Sequence, residues 1–244
     1  RNTMPKSKYE DLYKKIKRRI ETGEYEYKSL LPSENTFVHE FESSRNTIRR
    51  AIMQLVQDGY VQTIHGKGVR VIYEPQEQSI FTMERIESFS EASSRLSLNQ
   101  VTEVREFKEL VIDEKLSKKT GFEIGKEIYY VQRLRIIDDI PLIIDHNYFL
   151  KDVVPHLTRE IAESSIYNYL ENELHVNIMT SKRKFSVEPA NENDENNILL
   201  NGLNCVMAVT STTYDSNGIF FEYTQSRHSP KHFAFYDVST RQKT

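Results

Sequence analysis

The sequence predicts two domains of different class, a mainly α-helical N-terminal domain ending in a β-hairpin and a C-terminal α+β domain on an antiparallel sheet. Three observations predict this. A polar, proline-containing stretch, Glu74-Pro75-Gln76-Glu77-Gln78-Ser79, divides the chain. Before it, apolar residues recur at helical spacing; after it, they gather into strand-length runs between turn signals. Charge divides at the same place: residues 1–75 carry 14 Lys+Arg against 10 Asp+Glu, and residues 76–244 carry 19 against 26. A basic piece on an acidic body fits a nucleic-acid module joined to something else, and fits chance variation between two domains equally well. The expected division is residues 1–74, a linker at 75–79, and a second domain at 80–244.

With 244 residues and 38% apolar content, the chain can fill two cores. No run approaches the ~18 apolar residues of a membrane helix, and the polar start, Arg1 to Lys8, shows no signal peptide. The single cysteine, Cys205, excludes an internal disulfide framework, fits a reducing cytoplasm, and is expected to be a buried strand residue.

In the first domain, Tyr9, Leu12, Tyr13, Ile16 and Ile20 form an apolar helical stripe, with Lys14, Lys15, Arg18 and Arg19 on the polar side. Gly23 is a plausible stop. Pro32-Ser33-Glu34 starts a short second helix, Ser33 as cap and Glu34 favourable to the helix dipole, burying Phe37, Val38 and Phe41. Ser43-Ser44 opens a third helix with Ile48, Ala51, Ile52, Leu55 and Val56 inward, and Gly59 suits the left-handed position after it. Tyr60–Ile64 and Val69–Tyr73 then pair across His65-Gly66-Lys67-Gly68. This glycine-flanked tip is not a phosphate-binding Walker loop, because the required glycine, spacing and following Ser/Thr are missing.

That order of elements is a winged helix-turn-helix, whose third helix needs one buried face and donors near the N-terminus of the other. Arg45, Asn46, Thr47, Arg49 and Arg50 supply those donors, and Arg45 and Arg49, four apart, project from one side. Arginine can bond guanine O6 and N7 bidentately, while Asn46 or Thr47 can meet a phosphate or another base edge. One such cluster is more often a solvated helix face; its position before a glycine-tipped hairpin favours DNA.

Leu31-Pro32-Ser33-Glu34, Ser44-Arg45-Asn46-Thr47-Ile48-Arg49-Arg50-Ala51, Asp58-Gly59-Tyr60 and His65-Gly66-Lys67-Gly68 together resemble the GntR family of bacterial regulators over residues 9–73. The resemblance implies that Arg45 and Arg49 read bases, Thr47 holds phosphate and Gly66 enters the minor groove. The full set expected to meet double-stranded operator DNA is Ser33, Ser44, Arg45, Asn46, Thr47, Arg49, Arg50, His65, Gly66 and Lys67. Asn35 departs from the arginine many members carry there, which weakens a DNA contact from the second helix.

In the second domain, Val101–Val111, Ile128–Ile137, Leu142–Phe149, Ile178–Val187, Cys205–Tyr214 and Ile219–His228 are predicted strands. Asp138-Asp139-Ile140-Pro141 and Asp215-Ser216-Asn217-Gly218 are the turns of two hairpins, and helices are expected near 113–119, 165–174 and 191–200. Arg133 and Arg135 share a strand face, so either an anion or neighbouring carboxylates must balance them. Ser165 either caps a helix or helps hold an anion at its start; Asp145 and Glu222 suit sugar hydroxyls or an arginine partner.

Residues 80–240 resemble the sensing (UTRA) domain of the family's HutC branch, which implies a chorismate-lyase-like fold and a phosphorylated sugar as effector. Carried over position by position, the effector residues would be Phe89 and Ser90, Arg133 and Arg135, Ser165 and Tyr167, Asp145 and Glu222, with His228 a looser match. Asp145-His146-Asn147-Tyr148-Phe149, residues 154–161 (VPHLTREI), Ser165-Ile166-Tyr167 and residues 223–228 (YTQSRH) resemble the branch that governs trehalose operons, implying trehalose 6-phosphate. Another sugar phosphate, such as an amino-sugar phosphate, is the alternative. The family pattern further implies a homodimer on an operator palindrome. No catalytic residue, cofactor or metal is expected: there is no HExxH, the seven histidines are scattered, and Cys205 lacks a histidine partner motif.

Overall fold

The structure, a computed structural model, describes residues 8–74, 99–235 and 239, which form two compact units at 8–74 and 99–235. The linker at 75–79, Phe89 and Ser90 lie outside the described residues.

The N-terminal unit runs α1 (Lys8–Glu21), α2 (Glu34–Glu40), α3 (Arg45–Gln57), β1 (Val61–Ile64) and β2 (Gly68–Val71). Leu12, Ile16 and Ile20 of α1 pack on Ile48, Ala51, Ile52 and Leu55 of α3, with Phe37 of α2 closing the core. Phe37 and Leu55 are fully buried, so truncating either to alanine would cost about 2–5 kcal/mol. Val38, Phe41 and Val56 are only partly buried. Ser33 and Ser44 cap α2 and α3, their hydroxyls accepting from Thr36 N and Thr47 N at 3.2 Å each. The hairpin pairs Val61 with Val71 and Ile64 with Gly68, and Leu30 bridges to Arg70 at its edge. Gly66 (φ +71°) and Gly68 (φ +110°) both adopt backbone that side-chain-bearing residues rarely accept, so this tip needs them.

The C-terminal unit is a six-stranded antiparallel sheet in the order β3-β4-β5-β8-β7-β6. Its strands are β3 (Gln100–Val111), β4 (Glu127–Ile137), β5 (Ile140–Leu150), β6 (Ile178–Pro189), β7 (Cys205–Asp215) and β8 (Phe220–His228). The helices are α4 (Glu114–Thr120), α5 (Arg159–Glu163), α6 (Ile166–Asn168) and α7 (Glu192–Asn197). β4 and β5 join through Asp138 and Asp139 alone, at φ +47° and +64°, the two positive dihedrals a type I′ turn requires. At the β7–β8 turn, Asp215 accepts from the backbone N–H groups of Asn217 and Ile219 at 2.8 Å each, ahead of Gly218 (φ +75°).

Two expectations are corrected here. The helix near 165–174 is a short α6 that passes directly into a π-helix, Tyr169–Glu173. Cys205 starts β7 and is half-buried rather than inside the core.

Cores lie on both sides of this sheet. Val104, Tyr129, Val131 and Phe149 pack with Ile166 and Leu170 from α6 and the π-helix. On the opposite face, Leu134, Ile144 and Val206 pack with Ile198, which follows α7. Arg227 fixes α7 there, donating to Asp194 through Nε and Nη2 and to Glu188 through Nη1.

Candidate functional site

In the N-terminal unit, every residue expected to meet DNA is exposed except Thr47, which is half-buried. Arg45 is the first residue of α3, and its Nη2 donates to Asn35 Oδ1 at 2.8 Å. Arg49 donates its Nε to both oxygens of Glu34, at 3.0 and 2.9 Å. Arg50 lies over the ring of Tyr9, 3.9 Å from its centroid. The hydroxyls of Ser33 and Ser44 are engaged in capping and also bond Thr36 and Thr47. His65, Gly66 and Lys67 form the exposed hairpin tip. Sequence periodicity alone does not reveal that α2 holds the two arginines of α3; those pairings span 10 and 15 residues.

In the C-terminal unit, register brings the predicted effector residues together. Arg133 is opposite Asp145 across β4 and β5, and Asp145 is opposite Ser226 across β5 and β8. Asn147 is opposite Thr224, and Phe149 opposite Glu222. Paired residues share a face, so one side of the central sheet carries Arg133, Arg135, Asp145, Asn147, Glu222, Thr224 and Ser226.

The row divides into a cationic end and an acceptor end. Arg135 donates its Nε to Asp145 Oδ2 at 2.8 Å and its Nη1 to Thr102 at 2.7 Å. Ser226 donates to the other Asp145 oxygen at 2.6 Å. Burial opposes ionisation of Asp145, but Arg135, Arg133 and these hydrogen bonds outweigh it and hold the carboxyl below its usual range. Arg133 is also buried, yet among the described residues it forms no ion pair; its Nε donates to the neutral Asn147 Oδ1 at 2.9 Å. Burial, followed by the adjacent Arg135, lowers its pKa to about 9 despite Asp145, Glu222 and Tyr167.

From Asn147 the bonds continue toward the acceptor end. Asn147 Nδ2 donates to Thr224, Thr224 donates to Glu222 Oε1, and Tyr167 donates to Glu222 Oε2, at 2.8, 2.8 and 2.7 Å. Burial raises the Glu222 pKa although Tyr167, Thr224, Arg133 and Thr213 all favour its charged form. Burial and the neighbouring carboxylate likewise raise Tyr167 well above the ordinary phenol value. Ser165 caps α6, accepting from Asn168 N at 3.2 Å. His228, at the end of β8, is buried with its ring 5.0 Å from Phe233; burial lowers its pKa to about 4.

Thr102, Asn147, Thr213 and Thr224 join this arrangement without having been singled out from sequence. For Asn147 and Thr224 the signal is alternation: Asp145-x-Asn147 and Glu222-x-Thr224-x-Ser226 place polar side chains at every second strand position. Buried polar residues on one strand face, with an arginine lacking a carboxylate, suit a polar anionic small molecule.

A winged helix with an exposed arginine-rich third helix, on the same chain as a polar-lined sheet domain, defines a DNA-binding transcription regulator with an effector domain. Residues 8–71 match the family described as bacterial regulatory proteins, gntR family, and residues 96–234 match the UTRA domain. The chain belongs to the GntR family of transcription regulators, in the group carrying a UTRA domain, and is a regulator rather than an enzyme.

The HTH-type transcriptional regulator TreR of Bacillus subtilis (strain 168) is 34% identical over 240 residues, 98% of this chain and 100% of TreR. The crystal structure of the possible transcriptional regulator YydK from Bacillus subtilis superposes with a TM-score of 0.75 at 22% identity, over 96% of this chain and 100% of that one. The effector-binding domain of the B. subtilis trehalose repressor (TreR) matches at TM-score 0.53 and 34% identity, covering 59% of this chain and 99% of that domain. No helix among the described residues is long and apolar enough to cross a membrane.

Proposed function

We propose that the protein represses a sugar-utilisation operon and is released from its operator by a phosphosugar, trehalose 6-phosphate. The observation that carries this is Arg133, a buried guanidinium with no carboxylate partner among the described residues, two positions from Arg135. A phosphate satisfies that cationic end with charge-assisted hydrogen bonds. Asp145, Asn147, Thr224 and Glu222 then offer acceptors and donors for sugar hydroxyls, with Tyr167 orienting Glu222. The 34% identity to TreR over nearly the full length, and the match to the effector-binding domain of the B. subtilis trehalose repressor, support trehalose 6-phosphate over other phosphosugars.

In this reading Arg45 and Arg49 contact bases, Thr47, the capped start of α3 and the wing tip contact the backbone, and a homodimer spans a palindromic operator. The effector acts by binding the DNA-incompetent arrangement more tightly, which is the only way a ligand moves such an equilibrium. Fluorescence anisotropy on a palindromic trehalose-operon operator tests it, with titrations of trehalose 6-phosphate, trehalose, glucose 6-phosphate and glucosamine 6-phosphate. Salt-sensitive binding released by trehalose 6-phosphate alone is expected. Release by glucosamine 6-phosphate would transfer the effector assignment to amino-sugar phosphates. Binding indifferent to every phosphosugar would end the phosphosugar reading.

A further inference from the structure

The two arginines assigned to the bases are each held by the helix before them. Arg45 Nη2 donates to Asn35 Oδ1 at 2.8 Å, and Arg49 Nε donates to Glu34 Oε1 and Oε2 at 3.0 and 2.9 Å. Glu34 and Asn35 are consecutive residues at the start of α2, fixed there by the Ser33 cap and by Phe37 in the core. We propose that Glu34 and Asn35 determine base preference indirectly, as positioning residues that hold Arg49 and Arg45 each in one orientation.

Stability alone does not account for these pairings. The Arg49 and Glu34 side chains are 60% and 38% exposed, where an ion pair adds little to stability. A carboxylate at a surface that meets phosphates also works against DNA affinity by simple repulsion. Orientation is what the pairing supplies. A free arginine side chain loses much rotamer entropy on making a contact, and one already held loses less of it on binding.

The atoms used in each pairing set which donors remain. Glu34 occupies the Nε side of Arg49 and leaves the terminal Nη1 and Nη2 groups for an end-on approach to guanine O6 and N7. Asn35 occupies one Nη2 donor of Arg45. Because a guanidinium only donates, the Asn35 oxygen must face Arg45, and its Nδ2 group is turned away from the arginine as a further donor. A short neutral residue at 35 therefore acts through Arg45, and neither partner brings a second positive charge that would strengthen binding to every sequence alike.

The test measures discrimination, using full-length protein and an operator selected from random duplexes by the unaltered chain. Affinities are taken for that operator, for duplexes with each half-site base pair replaced in turn, and for an unrelated duplex. The variants are Asn35→Ala, Glu34→Gln, Arg45→Ala, Arg49→Ala and the doubles N35A/R45A and E34Q/R49A. Expected for N35A and E34Q is an about 5–10-fold loss of discrimination, confined to the base pairs where R45A and R49A flatten the profile. Unrelated DNA should bind N35A unchanged and E34Q slightly more tightly, and each double should be no worse than its arginine single.

Uniform weakening on every duplex, or profiles identical to the unaltered chain while R45A and R49A flatten theirs, would overturn the proposal. The inference rests on the assignment of Arg45 and Arg49 to the bases. R45A and R49A with undiminished discrimination would remove that assignment, and this inference with it, leaving the effector reading untouched.

Discussion

Arg133 and Arg135 stand two residues apart on one face of β4, but Arg135 has a carboxylate at 2.8 Å whereas Arg133 bonds only the neutral amide of Asn147, at 2.9 Å, among the described residues. Asp145 and Glu222 act on Arg133 only through space, so its guanidinium has no carboxylate in hydrogen-bond contact among the described residues. An anionic ligand would supply that contact.

The first prediction follows from that missing contact. Replacing Arg133 with methionine removes a buried charge while keeping an unbranched side chain, and leaves the Asn147 oxygen without its donor. Arg133→Met is expected to lose about 1–3 kcal/mol of stability, to stay folded and to bind the operator normally. It should require at least tenfold more phosphosugar for release. Full release at the original concentration, read by anisotropy, would show that Arg133 does not hold the anion.

Glu222 supplies the second. Its carboxyl pKa is raised, so the folded state favours the protonated form; the ionisation cost is present above the unfolded value and disappears as pH falls. Glu222→Gln removes that ionisation cost and keeps one acceptor oxygen, so it should change stability little at pH 7. Tyr167→Phe instead deletes the donor at 2.7 Å from a buried carboxylate and should cost about 1–2 kcal/mol. Urea denaturation of both variants at pH 7 measures the contrast, and a larger loss in the glutamine variant would contradict it.

These residues also mark how far the sequence can be read. The hairpins are legible because their turns are local: Asp138-Asp139 and Gly218 supply positive φ within a few residues. The pairing of Arg133 and Arg135 on one face follows from strand alternation alone. The meeting of Asp145 with Ser226 does not, because β5 and β8 become neighbours only through a long connection, and their register is set by packing on both faces. The short α6 and the π-helix after it are invisible for a related reason. Ser165, Ile166 and Tyr167 read as an ordinary helix start, and the widened turn at Tyr169–Glu173 leaves no compositional trace. In the winged helix almost everything is legible from short-range signals, except that α2 reaches across to Arg45 and Arg49.

Asp194 carries the third prediction. It is fully buried, completes a capping box with Asn191, and takes three hydrogen bonds from Arg227 at 2.8–3.0 Å. Asp194→Asn removes the charge and leaves buried Arg227 with Glu188 as its remaining carboxylate. Breaking a buried pair on one side is expected to cost about 3–5 kcal/mol. In a cycle with Arg227→Met, the double variant should be clearly more stable than the sum of the singles implies, because no fully buried charge is stranded and partly exposed Glu188 can be hydrated. Additive losses in that cycle would mean the pair is not coupled.

The last prediction concerns acid. Burial lowers His146, with Lys119 adding to the effect, and burial lowers His228; each falls from 6.5 to about 4. Asp145 opposes both shifts, and Tyr130 bonds His146 Nδ1 at 2.9 Å. Between pH 6.5 and 4 the unfolded chain binds protons at these positions that the folded chain refuses, so stability falls as pH falls through that window. Each histidine should contribute a loss on the order of 1–2 kcal/mol by pH 5. The Asp145 carboxyl is lowered too, so its contribution is lost in the same direction, but only as pH falls through and below the ordinary carboxylate range, under the histidine window. Hydrogen exchange of the β5 and β8 amides at pH 7 and pH 5 reads this directly. His228→Gln should lose about half of the pH-dependent drop in protection, and a drop of the same size in that variant would assign the acid sensitivity to other groups.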